Sequence, residues 1–189
     1  MIIREFARYE NVLAFSAGNE VSLATPGNSM VNAPCQKQFI RDMRAYIRNC
    51  SNNMRQIPVG LVLADVHRNL GSRYYNCQST PDDDLEVADF IGINVYLHCD
   101  GRATDISELS GYLKLLSDFR SFNISIPVLL TEFGCVHSSF PTLQVQQDGT
   151  DRALPQRNFL QVDAMFSPEY RAGRFERSGA CIPYYINVR

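Results

Sequence analysis

Ile126-Pro127-Val128-Leu129-Leu130-Thr131-Glu132-Phe133-Gly134-Cys135 is a nearly continuous apolar run that ends in a carboxylate. A half-buried strand alternates apolar with polar residues, whereas a strand covered on both faces does not. The run therefore reads as a central strand of a parallel sheet, over residues 126–131. Similar runs occur at residues 12–17, 57–64 and 90–96, with a weaker one at 180–188. Pro58 and Pro127 each stand at a strand start, where a missing N–H is tolerated. Between the runs, residues 36–49 place Phe39, Met43, Tyr46 and Ile47 on one helical face, with Arg41, Arg44 and Arg48 largely elsewhere. Residues 107–120 do the same with Leu109, Tyr112, Leu113, Leu116 and Phe119. Further helices are expected at 2–9 and 159–170, and a long polar loop at 137–156. Strands alternating with helices predict βαβ units and an α/β fold with a parallel sheet.

The chain has 189 residues, 45% hydrophobic and 20% charged, with a formal charge of −2. That is globular composition with no basic footprint for nucleic acid and no apolar run long enough to span a membrane. Six cysteines are too few for a disulfide scaffold of this size, yet many for a reducing compartment. Tryptophan is absent beside nine Tyr and eleven Phe.

In parallel α/β architectures, reactive groups collect at the carboxyl ends of strands. Those ends read Gly18-Asn19-Glu20, Ala64-Asp65-Val66, Asn94-Val95-Tyr96-Leu97-His98-Cys99 and Thr131-Glu132-Phe133. Glu20 and Glu132, on separate strands, form the carboxylate pair that glycoside chemistry uses: one protonates the leaving oxygen while the other attacks the anomeric carbon. Asn19 offers an amide to a sugar hydroxyl, and Tyr96 a donor to the ionised carboxylate. The competing reading is structural, with each glutamate capping a helix or pairing with an arginine.

Residues 11–21, Asn11-Val12-Leu13-Ala14-Phe15-Ser16-Ala17-Gly18-Asn19-Glu20-Val21, resemble the acid/base strand of the fungal and oomycete β-1,3-glucanosyltransferases, glycoside hydrolase family 72. Arg41-Asp42-Met43-Arg44-Ala45-Tyr46-Ile47, Tyr75-Asn76-Cys77 and Arg157-Asn158-Phe159-Leu160-Gln161-Val162-Asp163-Ala164 follow in family order, and Glu132-Phe133-Gly134-Cys135 is similar to the nucleophile motif. The resemblance runs from about residue 3 to 179. It implies a (β/α)8 TIM barrel, incomplete, with strands four to eight over residues 1–189 and the first three strand–helix units missing. It also implies a retaining transfer between β-1,3-glucan chains, with Glu20 as general acid/base, Glu132 as nucleophile, and Asn19 and Tyr96 at substrate-contact or support positions.

By the same resemblance, Cys99 and Cys135 form a disulfide, no cofactor is needed, and the site of action is the cell wall or outer plasma-membrane face, where family members are often lipid-anchored. A zinc site from His98, Cys99, Cys135 and His137 is the rival for those cysteines, but its spacings match no compact zinc module. Cys35, Cys50 and Cys181 have no evident partner, and Cys77 resembles a family cysteine whose partner lies farther along. His98 stands where the family usually has Trp, and Pro183 falls inside the expected final strand. The rival functional readings are an inactive fragment, a glucan-binding pseudoenzyme and a hydrolytic β-1,3-glucanase.

Overall fold

The computed structural model describes residues 2–23, 30–50, 54–98 and 110–136. Four strands, β1 (Phe15–Asn19), β2 (Val59–Ala64), β3 (Ile91–His98) and β4 (Val128–Val136), alternate with helices α1 (Ile2–Phe6), α2 (Ala33–Asn49), α3 (Arg68–Asn76) and α4 (Ser110–Ser121). The strands form one parallel sheet in chain order, β1-β2-β3-β4.

One face of the sheet presents Phe15, Ala17, Val59, Leu61, Leu63, Ile91, Ile93, Val95, Val128 and Leu130 to the helices. There they meet Ala33, Ile40, Met43 and Ile47 of α2 and Leu115 of α4 in a single core. Burying each of the larger side chains contributes about 1.5–3 kcal/mol before entropy is counted. A doubly wound sheet would carry helices on both faces. Here the helices share one face, and the other is lined by Val62, Ala64, Phe90, Asn94 and Leu129, all buried as well. Continuous apolar runs follow directly, because neither face is left to solvent.

Several boundaries differ from expectation. The first strand begins at Phe15, three residues later than the apolar run placed it, and reaches Asn19, two residues beyond the end of that run. Its partner starts at Val59, so residues 12–14 have nothing to pair with, and Leu13 is 42% exposed. Arg55 instead donates to the carbonyls of Tyr9 and Val12. The second strand starts at Val59 because Pro58 has no N–H for the ladder. In α2 the buried stripe is Ala33, Gln36, Ile40, Met43 and Ile47, and Phe39 is 53% exposed, off that stripe. Helix α1 ends at Phe6, short of residue 9. The expected elements at 137–156, 159–170 and 180–188 lie outside the described residues.

Helix α3 has no counterpart in the sequence expectations. Its buried residues are Gly71, Ser72 and Tyr75, which carry almost no apolar periodicity. A Cβ on Gly71 would lie 3.2 Å from Leu63 Cδ1, so small residues here let the helix sit directly on β2. Its first turn is tied down by Arg68, which pairs with Asp65 at 2.5 Å and with Asp118 of α4 at 2.6 Å.

Burial works to raise the Asp118 carboxyl, but hydrogen bonds and charge from Lys114 and Arg68 outweigh it and hold the group below the usual range. A depressed carboxyl contributes stability that is present above its unfolded value, ~3.9, and is lost as pH falls through the folded one. Asp118→Asn should therefore reduce stability at pH 7 by up to about 1 kcal/mol and leave it unchanged near pH 2. Urea midpoints of both chains at the two pH values check this.

The segment entering β3 is clamped to α2 by three arginines one turn apart: Arg41–Asp83 at 3.0 Å, Arg44–Asp89 at 2.9 Å and Arg48–Asp84 at 2.8 Å. Asp89 also accepts from the Val59 N–H at 2.8 Å and donates its own N–H to the Val59 carbonyl at 2.9 Å, which sets the β2–β3 start. Beside it, Gly60 has no room for a side chain: a Cβ would lie 2.3 Å from the Phe90 carbonyl oxygen and 2.6 Å from the Phe90 ring. Since the nearest atom is backbone, Gly60→Ala should cost about 3 kcal/mol, read as a lowered urea midpoint with unchanged slope.

Candidate active site

Period-two alternation decides which face each strand residue occupies. Leu130 faces the helices, so Thr131 faces the opposite side and Glu132 would return to the helices. It does not. The β3–β4 register steps from Ile93↔Leu130 to Asn94↔Glu132, leaving Thr131 as an extra residue. This bulge places Thr131 and Glu132 on the same face, while Phe133 packs back against the helix-side core. Tyr96 shares that face, and its hydroxyl donates to Glu132 Oε2 at 2.8 Å. The Tyr96 side chain is 58% exposed, so the pair stands at an open mouth.

β1 has a comparable irregularity. Its pairing runs from Ser16↔Gly60 to Asn19↔Val62, so two residues, Ala17 and Gly18, stand opposite one. A Cβ on Gly18 would lie 2.4 Å from Gln36 Nε2, and glycine removes that clash with α2. Asn19 thereby turns to the face of Val62. Glu20 follows with φ 51°, in the left-handed region, and donates its N–H to the Val62 carbonyl at 2.9 Å. Such a conformation costs about 1–3 kcal/mol for a residue with a side chain, and it recurs at functional sites. It brings the Glu20 carboxylate to the face already holding Asn19.

Both local irregularities converge on Asn94. Asn94 Nδ2 donates to Asn19 Oδ1 at 3.1 Å and to Glu20 Oε1 at 3.0 Å, while its Oδ1 accepts from Thr131 Oγ1 at 2.7 Å. The four residues expected from the sequence, Asn19, Glu20, Tyr96 and Glu132, thus share one end and one face of the sheet. The remaining acidic strand end, Asp65, is exposed and committed to Arg68. His67 is the residue before α3, with φ 49°, and takes no part. Asn94 and Thr131 were not singled out from the sequence. The available signal was an amide and a hydroxyl inside otherwise apolar strands, since buried polar groups need partners.

Cys99 lies outside the described residues, as does the Cys135 side chain, so their expected disulfide does too. Among the described residues Cys35, Cys50 and Cys77 form no disulfide with one another. Among the described residues no cluster of His, Cys, Asp and Glu is arranged to hold a metal, and no helix is long and apolar enough to cross a membrane.

Residues 1–175 match the glucanosyltransferase model of glycoside hydrolase family 72. The chain is 38% identical over 148 residues to the 1,3-beta-glucanosyltransferase GAS5 of Saccharomyces cerevisiae, covering 76% of this chain and 28% of that protein. It is 35% identical over 169 residues to PGA4 of Candida albicans, also a 1,3-beta-glucanosyltransferase, covering 88% and 31%. The crystal structure of S. cerevisiae Gas2p with laminaritriose and laminaritetraose superposes with a TM-score of 0.62 at 29% identity, over 89% of this chain and 32% of that one. The chain spans about three-tenths of the length of these relatives. With the family model covering nearly all of its residues, the chain belongs to the glucanosyltransferase family, glycoside hydrolase family 72.

Proposed function

We propose that this chain carries the two catalytic carboxylates of a retaining β-1,3-glucanosyltransferase. The observation that carries the reading is the convergence of Tyr96–Glu132 and Asn94–Glu20 hydrogen bonds on one face at the carboxyl ends of the strands. The strands are taken as members four to seven of a (β/α)8 barrel, with residues 1–189 as a single portion of that domain. Strands in chain order with helices on one face support this arrangement.

Glu132 acts as nucleophile. Its carboxylate attacks the anomeric carbon of a β-1,3-linked glucosyl unit as the glycosidic C–O bond breaks, and Glu20 gives its proton to the departing oxygen. The Tyr96 hydroxyl holds Glu132 Oε2, leaving Oε1 for attack. In the second half, Glu20 takes a proton from a hydroxyl at the non-reducing end of another glucan. That oxygen displaces Glu132, so one glycosidic bond is broken and one is made. Asn19 contacts the sugar. β-1,3-Glucan is the proposed substrate, in keeping with the laminari-oligosaccharides bound by Gas2p, and the cell wall is the proposed site of action.

Incubation with a reduced laminari-oligosaccharide tests the reading. Products longer than the starting oligosaccharide are expected. Shorter products alone would mean hydrolysis, and an unchanged substrate would mean that the chain is not a competent catalyst.

A further inference from the structure

The catalytic reading above leaves unexplained how Glu20 and Asn19 hold their orientation. Glu20 sits at a turn with left-handed backbone, and Asn19 is exposed, so neither is fixed by packing. Asn94 is different: it is 3% exposed and flanked on its strand by Ile93 and Val95, both fully buried. An amide in that setting costs free energy unless its donors and acceptor are matched. All three are. Its two N–H groups reach Asn19 Oδ1 and Glu20 Oε1, and its oxygen receives the Thr131 hydroxyl. Thr131 faces this side by ordinary alternation from Leu130, and it can reach Asn94 because Gly92 has no side chain. A Cβ there would lie 2.7 Å from Thr131 Cγ2.

We infer that Asn94 is a positioning residue for Glu20 and Asn19, and that the Thr131 hydroxyl anchors its carboxamide from the other side. Resting on the transferase reading, the inference assigns a polarity to the site. With its oxygen held, Asn19 turns its own N–H groups outward and offers a ligand donors, which suits a sugar hydroxyl oxygen. With Oε1 of Glu20 held, Oε2 is the oxygen that exchanges the proton with the glycosidic or acceptor oxygen. The Thr131–Asn94–Glu20 chain also joins the strand of the acid/base to the residue beside the nucleophile, so the two carboxylates share one support across three strands. A carboxamide rotated end for end would set its oxygen against Asn19 Oδ1 and Glu20 Oε1, two acceptors, which is repulsive.

The test uses the full chain and two independent readouts. The first is the NMR signal of the Asn94 side-chain NH2, assigned by its loss in Asn94→Asp. Its protons should exchange with water at least about tenfold more slowly than those of exposed Asn side chains, and the signal should move in Glu20→Gln and in Thr131→Val. The second is steady-state transfer kinetics. Thr131→Val, which keeps the shape but removes the hydroxyl, should lower kcat about tenfold with KM within about twofold, and Thr131→Ser should restore it. An NH2 signal that exchanges freely and ignores both substitutions overturns the inference, whatever the chain catalyses. So does a Thr131→Val chain with wild-type kcat, or a loss that Thr131→Ser does not restore. A coupled, protected signal in a chain that makes no product supports the inference while overturning the transferase reading.

Discussion

Glu132→Gln should yield a folded chain that forms no covalent glucosyl adduct and transfers glucan at a rate lower by on the order of 10^4-fold or more. The substitution is nearly isosteric, and the carboxamide oxygen still accepts from the Tyr96 hydroxyl, so the geometry of the mouth is retained. What disappears is the anionic oxygen. A neutral amide is too weak a nucleophile to open the glycosidic bond, and it cannot stabilise the positive charge that develops on the sugar ring. Intact-protein mass after brief exposure to a laminari-oligosaccharide with a slow-leaving acceptor measures the adduct directly. The wild-type chain should gain the mass of the transferred glycosyl unit and the variant none. An adduct of equal yield in Glu132→Gln would place the nucleophile elsewhere.

The second large effect falls on Glu20. Glu20→Gln should slow transfer by about 10^2–10^4-fold, the range over which general acid–base assistance acts. Its signature differs from that of Glu132. The lost proton matters most when the leaving oxygen is basic, so a substrate with an acidic leaving group should recover most of the first step. The second step should stay slow with a sugar acceptor, because no base removes its proton, and should be restored by azide, an anion that needs none. A covalent adduct should therefore accumulate in Glu20→Gln and clear on adding azide. Equal slowing with acidic and basic leaving groups would remove Glu20 from the acid/base role.

The buried strands and the helices with strong apolar stripes were legible because their pattern is set by burial, which composition reports residue by residue. The parallel direction of the strands followed from their alternation with helices. Helix α3 was not legible, because Gly71 and Ser72 earn their place by closeness to Leu63 and carry no hydrophobic signal. Phe39 was placed in the core and lies outside it, since neighbouring Ile40 fills the stripe that meets the sheet. Hydrophobic periodicity names a face only to within about one residue's rotation, and tertiary contacts choose between the candidates.

For the site, the residue types at the strand ends were readable: two glutamates, an asparagine and a tyrosine where a parallel sheet exposes its reactive edge. The sequence by itself determined those identities and the parallel sheet that gathers them. It could not determine their faces. Strict alternation sends Glu132 toward the helices and offers no reason for Glu20 to turn inward. Only the tertiary structure decided both, through an extra residue at Thr131, a second at Ala17–Gly18 and a left-handed turn at Glu20. The physical reason is that a bulge is settled by the register between two strands and by what packs on each face. Leu130 and Phe133 both seek the helix-side core across an odd spacing, and that demand exists only once the sheet has formed.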